Sequence, residues 1–508
     1  MSTPYTVITA GSKTPRFAAK IIFAAGRQSS AAAVGTTLVI ALKGTAGNAV
    51  PGVIYDVTSE DLADQLGGAG CQGATMCRAA MKVIGARVRA IFVDEPAAGT
   101  AATATYVVGG TWTTAGDGPA FTIGGYTFTV PVSASMTIDQ VGAAIVTATN
   151  TRGHLPVTAA YDAGTSTVTF TAKNKGIQGK SLLVYVDKAG LPTGMTGVLT
   201  GSATAGTNRV FMGAATSGTG SVDLTATLAI LDGDERFSRI ACGVNDPTNA
   251  ALVEAYVDAK STWARMLFEQ SLFGTTADYA TAQTLAKTTL NAFRCSLLWA
   301  RTCEVPWWEF VSEAAAARAT YETTVPNWDS DGYVFLCAAG RMTHRYLGDS
   351  PSTTETDLAL SNGVTPIHTV LGTLRIVRGI TTYCLNSAAL PDERCLDWAD
   401  PSTPDFVALD LHNRYIAFRE QNTLVGPNPP PELPPAPAGV ATPDMWKGEL
   451  EFAANDPING YYAKGFITSW RSDAVFNPEA GDIESFFELT ARRLQHKLSV
   501  VIRQTSGL

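Results

Sequence analysis

The chain has 508 residues, 45% hydrophobic and 16% charged, with a net charge of −8 and a pI near 5.3. At roughly 150 residues per domain, that length suits about three domains. The acidic balance argues against a nucleic-acid binder, which needs a basic face. A charged fraction below the ~25% of ordinary soluble domains, with abundant Ala, Gly and Thr, fits surface buried between subunits.

Residues 1–30 read as an extended arm with one strand, Tyr5-Thr6-Val7-Ile8-Thr9, set off by Gly11 and Pro15. Met1-Ser-Thr-Pro-Tyr5 lacks the charged start and apolar core of a signal peptide, and Lys20–Gly26 is too short to span a bilayer. The expectation is a chain made and folded in a cytoplasm. Residues 31–95 read as α/β. Thr37–Leu42 is a strand, Ser59–Leu66 a helix capped by Thr58, Ala74–Ile84 a second helix and Ala86–Val93 a strand.

Residues 96–205 change character. From Ala97 to Pro156 the charged residues are Asp117, Asp139 and Arg152, among Thr, Ala, Gly and Val. Phe121–Val130 alternates across Gly124-Gly125 and reads as a hairpin. Met136–Asn150 is one helix with Ile138, Val141 and Ile145 on one side, and Ser166–Ala172 and Leu182–Val186 are strands. This is a small β-rich domain inserted into another, with Leu199–Gly220 as the return linker.

Residues 221–357 resume the α/β pattern: a helix at Leu224–Leu231, a strand at Arg239–Val244, then a long helix started by Asn245-Asp246-Pro247. Leu252, Tyr256, Ala259, Trp263 and Met266 form its apolar stripe. Helices follow at Ala280–Phe293 and Trp308–Tyr321, so the alternation predicts a mainly parallel sheet under helices.

Residues 358–508 form the last, α+β unit. Leu358–His368 reads as a helical stretch stopped at Asn362-Gly363 and a Pro-closed loop, followed by a strand over Arg375–Tyr383. Pro427–Pro437 is a polyproline-like linker. Tyr461–Trp470 reads as a strand. Asp482–Lys497 reads as an amphipathic helix with Ile483, Phe487, Thr490, Leu494 and Leu498 in one stripe. Leu498-Ser499-Val500-Val501-Ile502-Arg503 closes as a strand able to pair with a neighbour's sheet edge.

No motif demands chemistry. Gly68-Ala-Gly-Cys-Gln-Gly73 fits Gly-x-Gly-x-x-Gly but follows a helix where a dinucleotide loop follows a strand. Gly164-Thr165-Ser166 with His154 matches the wording of a protease nucleophile loop, yet a strand rather than a helix follows Ser166. Asp329-Ser-Asp331 and Asp232-Gly-Asp234-Glu235 read as solvated turns, and Trp307-Trp308 as a helix start. The eight cysteines are dispersed and read as reduced, buried thiols, and the scattered histidines show no metal spacing. The basic run Arg492, Arg493 and Lys497 either complements a helix end or meets an acidic partner. The reading is a non-enzyme with no cofactor and no metal.

Several blocks, in order along the chain, resemble phage Mu-like contractile tail sheath proteins. They are Val57–Cys71 (with Leu66-Gly67 where the family has Phe-Gly), Thr122-Ile-Gly-Gly125, Thr137–Ile145, Leu155–Ala159, Val168–Gly176 and Asp234–Asp246. The most specific is Ser361-Asn-Gly-Val-Thr-Pro366 with Arg378-Gly-Ile-Thr-Thr-Tyr383. The resemblance implies a multidomain α/β protein: a central, mainly parallel domain of subtilisin-like fold, an inserted outer domain, a C-terminal α+β domain and extended arms at both ends. It implies a virion structural protein, assembled in host cytoplasm as a helical homopolymer of six-fold rings around a tail tube. Its partners would be the tube, baseplate and tail terminator proteins, with no nucleic acid and no membrane insertion. The sheath would contract to drive the tube through the host envelope for genome ejection. The arms at Tyr5–Thr9 and Leu498–Arg503 would exchange strands between subunits, and Arg492, Arg493 and Lys497 are candidates to face the tube. The alternatives are the sheath of a phage-derived bacteriocin or injection system, an enzyme on the α/β core, and a monomeric surface-binding module.

Overall fold

A computed structural model describes residues 35–213, 216–233, 235–262, 265–322, 325–346, 348–479 and 482–491. Two compact units divide the chain, one of residues 33–324 and 330–398, the other including residues 399–508.

The larger unit opens with β1 (Thr36–Leu42), in which every residue is buried, as suits a central strand covered on both faces. β2 (Ile54–Val57), α1 (Glu60–Gly67), α2 (Gln72–Ala80) and β3 (Arg87–Val93) follow. The cap of α1 is Ser59, whose side chain accepts from Leu62 N, one residue beyond the expected Thr58. Gly68-Ala-Gly-Cys-Gln-Gly73 is the joint between α1 and α2, with Gly68 and Gly70 at φ +87° and +75°.

The inserted segment builds two sheets from β4 (Ala101–Gly110), β5 (Ala120–Ile123), β6 (Tyr126–Thr129), β7 (Val157–Asp162), β8 (Thr167–Lys175), β9 (Leu183–Asp187), β10 (Met195–Thr200), β11 (Ala203–Thr204) and β12 (Arg209–Phe211). One has the order β10-β4-β8-β7, the other β11-β12-β9-β5-β6. The β5–β6 hairpin turns on Gly124-Gly125, both at positive φ. α3 (Ile138–Asn150) has a capping box of Thr137 and Gln140 and buries Val141 and Ile145. The sequence reading of Leu199–Gly220 as a linker is corrected. Its short β12 pairs with β9 and completes the second sheet, and three residues are too few to show an alternation.

The chain then returns through α4 (Thr225–Leu231), β13 (Arg239–Cys242), α5 (Pro247–Lys260), β14 (Gln270–Thr275), α6 (Tyr279–Gln283), β15 (Cys295–Trp299), α7 (Trp307–Tyr321), α8 (Thr353–Ser361), β16 (Val364–Val370) and β17 (Thr373–Ile376). The main sheet has the order β17-β16-β15-β14-β13-β1-β3-β2, parallel throughout except for its two outermost pairs. α7 lies close on it: a Cβ added to Gly274 would fall 2.4 Å from Val311 Cγ2. A cluster that includes Leu38, Ile40, Ile240, Val253, Val257, Leu285 and Leu297 packs α4, α5 and the 279–290 stretch against it.

Four expectations change here. The stripe on α5 is rotated: Ala259 is exposed, while Asn249, Val253, Tyr256, Val257 and Lys260 are buried, and Trp263 lies outside the described residues. Lys260 is tolerated because its ammonium donates to the carbonyls of Leu231, Gly233 and Glu235 at 2.9, 2.6 and 3.0 Å. The helix expected over Ala280–Phe293 is α6 followed by a π-turn to Leu290 and a left-handed Asn291. The expected Pro-closed loop is a strand, since Pro366 sits where β16 leaves its parallel pairing with β15 and begins pairing with β17. Of the strand expected over Arg375–Tyr383, only Arg375 and Ile376 fall in β17. Farther on, Thr side chains replace the ladder, as where Ile380 N donates to Thr365 Oγ1 at 3.0 Å.

The second unit contains α9 (Ala399–Gln421), β18 (Leu424–Val425), β19 (Val440–Ala441), α10 (Pro443–Asn455), β20 (Ile467–Asn477) and β21 (Asp482–Ala491). The Pro-rich stretch joins β18 to β19, which pair. The expected strand at Tyr461–Trp470 begins at Ile467, and the expected helix from Asp482 is a strand as far as Ala491. Ile483, Phe487 and Leu489 pack in the unit's core and Ser485 accepts from Trp446 Nε1, so one face is read at every second residue.

Candidate assembly interface

The residues assigned to strand exchange (Tyr5–Thr9, Leu498–Arg503) and to the tube (Arg492, Arg493, Lys497) lie outside the described residues. What is described is the element that immediately precedes the second group. β20 and β21 form a long antiparallel hairpin paired from Ile467–Ala491 to Asn477–Asp482. Among the described residues it is a sheet of these two strands alone, with both outer edges open. A two-stranded sheet is marginal without support. Here α10 and α9 supply it through Val407, Leu411, Trp446, Leu450 and Ala453. Trp470 stacks on Phe487 at 5.9 Å and donates to Asn455 Oδ1 at 3.0 Å, while Tyr461 donates to Asp410 Oδ2 at 2.5 Å. The hairpin is therefore held on one face and, among the described residues, gains no third strand at either edge, the arrangement that accepts an added strand.

A second feature bears on mechanics. The inserted sheets are tied to the main-sheet part of their unit by buried charge. Arg209 makes a bidentate pair with Asp349 at 2.7 and 2.6 Å, and its guanidinium lies 3.7 Å from Glu304. Arg345 pairs with Glu304 at 2.9 Å, donates to Thr122 Oγ1 at 2.8 Å and lies over the Tyr185 ring. Burial pushes the Glu304 carboxyl up against the pull of Arg345. Arg341 pairs with Glu309, donates through Nε to Gly124 O at 3.0 Å and lies over Tyr126. Asn174 adds neutral bonds to Lys43 O and Gln72 N at 3.1 and 2.7 Å. None of these ties was found from sequence, because each pairs residues far apart in the chain.

The residues weighed for catalysis sit in structural roles. Ser166 has φ +51° at the turn entering β8. His154 packs on the Tyr126 ring, and burial followed by neighbouring cations lowers its pKa. All eight cysteines are buried free thiols; burial pushes Cys71 to about 11 and Cys77, Cys242, Cys295 and Cys303 to about 12. Asp232 pairs with Arg265. Trp307 and Trp308 are buried at the start of α7, where Trp308 Nε1 donates to Thr75 Oγ1 at 3.1 Å. Among the described residues no group of three His, Cys, Asp or Glu side chains could hold a metal. Nor is any helix among them long and apolar enough to cross a membrane.

No protein-family model matches the chain, and no curated protein matches it in sequence. Among solved structures, it is similar to a sheath tail protein of Desulfitobacterium hafniense at 10% identity and TM-score 0.41, over 95% of this chain and 100% of that one. It is also similar to a sheath tail protein of Listeria innocua at 11% identity and TM-score 0.43, over 91% and 96% of the two chains. A chain of the anti-feeding prophage baseplate is similar at 9% identity and TM-score 0.48, over 97% and 100%.

Proposed function

We propose that this chain is a structural subunit of a contractile tail sheath. It polymerises as helical six-fold rings around a tail tube and contracts to drive the tube through a target envelope. The ordered resemblance from Val57 to Tyr383 supports the class. The observation that carries the assembly mechanism is the β20–β21 hairpin, braced on one face and, among the described residues, without a third strand at either edge. In this reading the strands Tyr5–Thr9 and Leu498–Arg503 of neighbouring copies add to those edges. Backbone pairing of this kind stays intact as subunits rearrange, because it depends on no single side chain. Contraction energy then lies in contacts between rigid bodies, a two-state element. The buried ion pairs that fix the inserted sheets suit that role. The inserted domain faces outward, and Arg492, Arg493 and Lys497 face the tube. The work is mechanical, with tube, baseplate and terminator proteins as partners.

Deleting residues 498–508 from the full chain tests the exchange. The truncated protein is expected to stay folded by circular dichroism and to sediment as free subunits where the intact chain forms tubes. Tubes of normal length from the truncated chain would contradict strand exchange.

A further inference from the structure

The hairpin joining β16 to β17 turns on Leu371 and Gly372, at φ +51° and +75°. Two positive-φ positions define a turn that favours Asn or Asp followed by Gly. A leucine there is doubly disfavoured, by backbone conformation and by water, since Leu371 is 94% exposed and Val370 beside it is exposed too. The outer edge of β17 is not open: Phe335 N donates to Leu374 O at 3.0 Å, Gly332 N to Ile376 O at 2.9 Å, and Ile376 N to Tyr333 O at 3.1 Å. This end of the main sheet therefore offers an apolar knob rather than a strand edge.

The opposite edge of the sheet offers a surface for it. Val50 and Val53, just before β2, are exposed, as is Ile230 on α4. They adjoin, because a Cβ added to Gly52 would fall 2.8 Å from Ile230 Cδ1. Ile54 pairs with Ile91 near the C-terminal end of β3, and Leu371 follows the C-terminal end of β16. Knob and patch thus lie toward the same end of the parallel strands, on opposite edges. From each, a strand descends to a charge. Arg375 lies four residues beyond Leu371 and Asp56 three beyond Val53, roughly 13 and 10 Å at strand spacing. Arg375 Nε donates to Thr373 Oγ1 at 2.9 Å and, among the described residues, forms no ion pair. Asp56 and Glu235 share the one guanidinium of Arg89, so this cluster carries one more negative than positive charge.

We infer that the Val370–Leu371 hairpin tip of one copy seats on the Val50–Val53–Ile230 patch of the next, with Arg375 facing the Asp56–Glu235 pair. The two surfaces differ, so the contact is head-to-tail and propagates into a ring or helix. It rests on the sheath reading and names a lateral contact additional to strand exchange.

The test begins with the intact chain. If it forms no tubes by sedimentation and microscopy, the sheath reading fails before any variant is made, and this contact with it. If it does, Leu371→Asn keeps the turn, since Asn accepts positive φ, so thermal stability should hold or rise. The concentration needed for assembly should rise about tenfold, as for a central interface residue. Independently, the doubly substituted Leu371→Cys, Val53→Cys chain should give a ladder of disulfide-linked copies when tubes are oxidised, and neither single variant should. Seven strand spacings, roughly 34 Å, preclude a bridge within one copy, and the native thiols are buried. Unchanged assembly of Leu371→Asn, or tubes of the double variant without a ladder, would overturn the contact while leaving the sheath reading standing.

Discussion

Glu304 is 2% exposed and faces the guanidiniums of both Arg209 and Arg345. Removing a carboxylate from such a cluster leaves buried positive charge without its partner. Glu304→Ala is therefore expected to lower unfolding stability by about 3 kcal/mol, read from urea denaturation of the unassembled subunit. A loss below about 1 kcal/mol, the range of surface pairs, would show that the cluster does not hold the inserted sheets. At this scale the sequence was legible where the reading turned on local context. Gly68–Gly73 follows a helix and Ser166 precedes a strand, and both facts are visible within ten residues. The seam was not legible, because Arg209 meets Asp349 across 140 positions and Arg345 meets Thr122 across 223.

Part of the main sheet followed from pattern, while β2, β14 and β15 were not read as strands and β16 was read as a loop. β1 and β3 are short apolar runs, α5 begins at Asp246-Pro247, and α7 starts at paired tryptophans. The end of the chain misled. Ile483 and Phe487 fit a helical spacing as well as a strand's, and the polar Ser485 hides the alternation that Ile483, Phe487 and Leu489 complete. The 23-residue α9 was missed because Pro401 and Pro404 stand in its first turns and read as breakers. The hairpin makes its own prediction for hydrogen exchange. In free subunits, alternate amides along β20 and β21, those pointing away from the partner strand, should exchange quickly. On assembly they should become protected. Equal exchange in both states would mean that no strand is added at either edge.

Across the whole molecule, the proposed class rests on the ordered blocks of the sequence, and the alternating strands and helices pointed to the architecture. The main sheet extends past residue 357 to take in β16 and β17, a long-range pairing that no local pattern announces. An eight-stranded sheet bound to its insertion by buried charge, and a second unit whose hairpin has no third strand among the described residues, suit the proposed subunit that moves as rigid bodies linked by shared strands. The most direct measurement is negative-stain electron microscopy of the full chain expressed without any tube protein. The account predicts hollow tubes with six-fold ring periodicity, in the contracted-like form because no tube is present to template the extended one. Uniform monomers that persist after a cognate tube is added would contradict it.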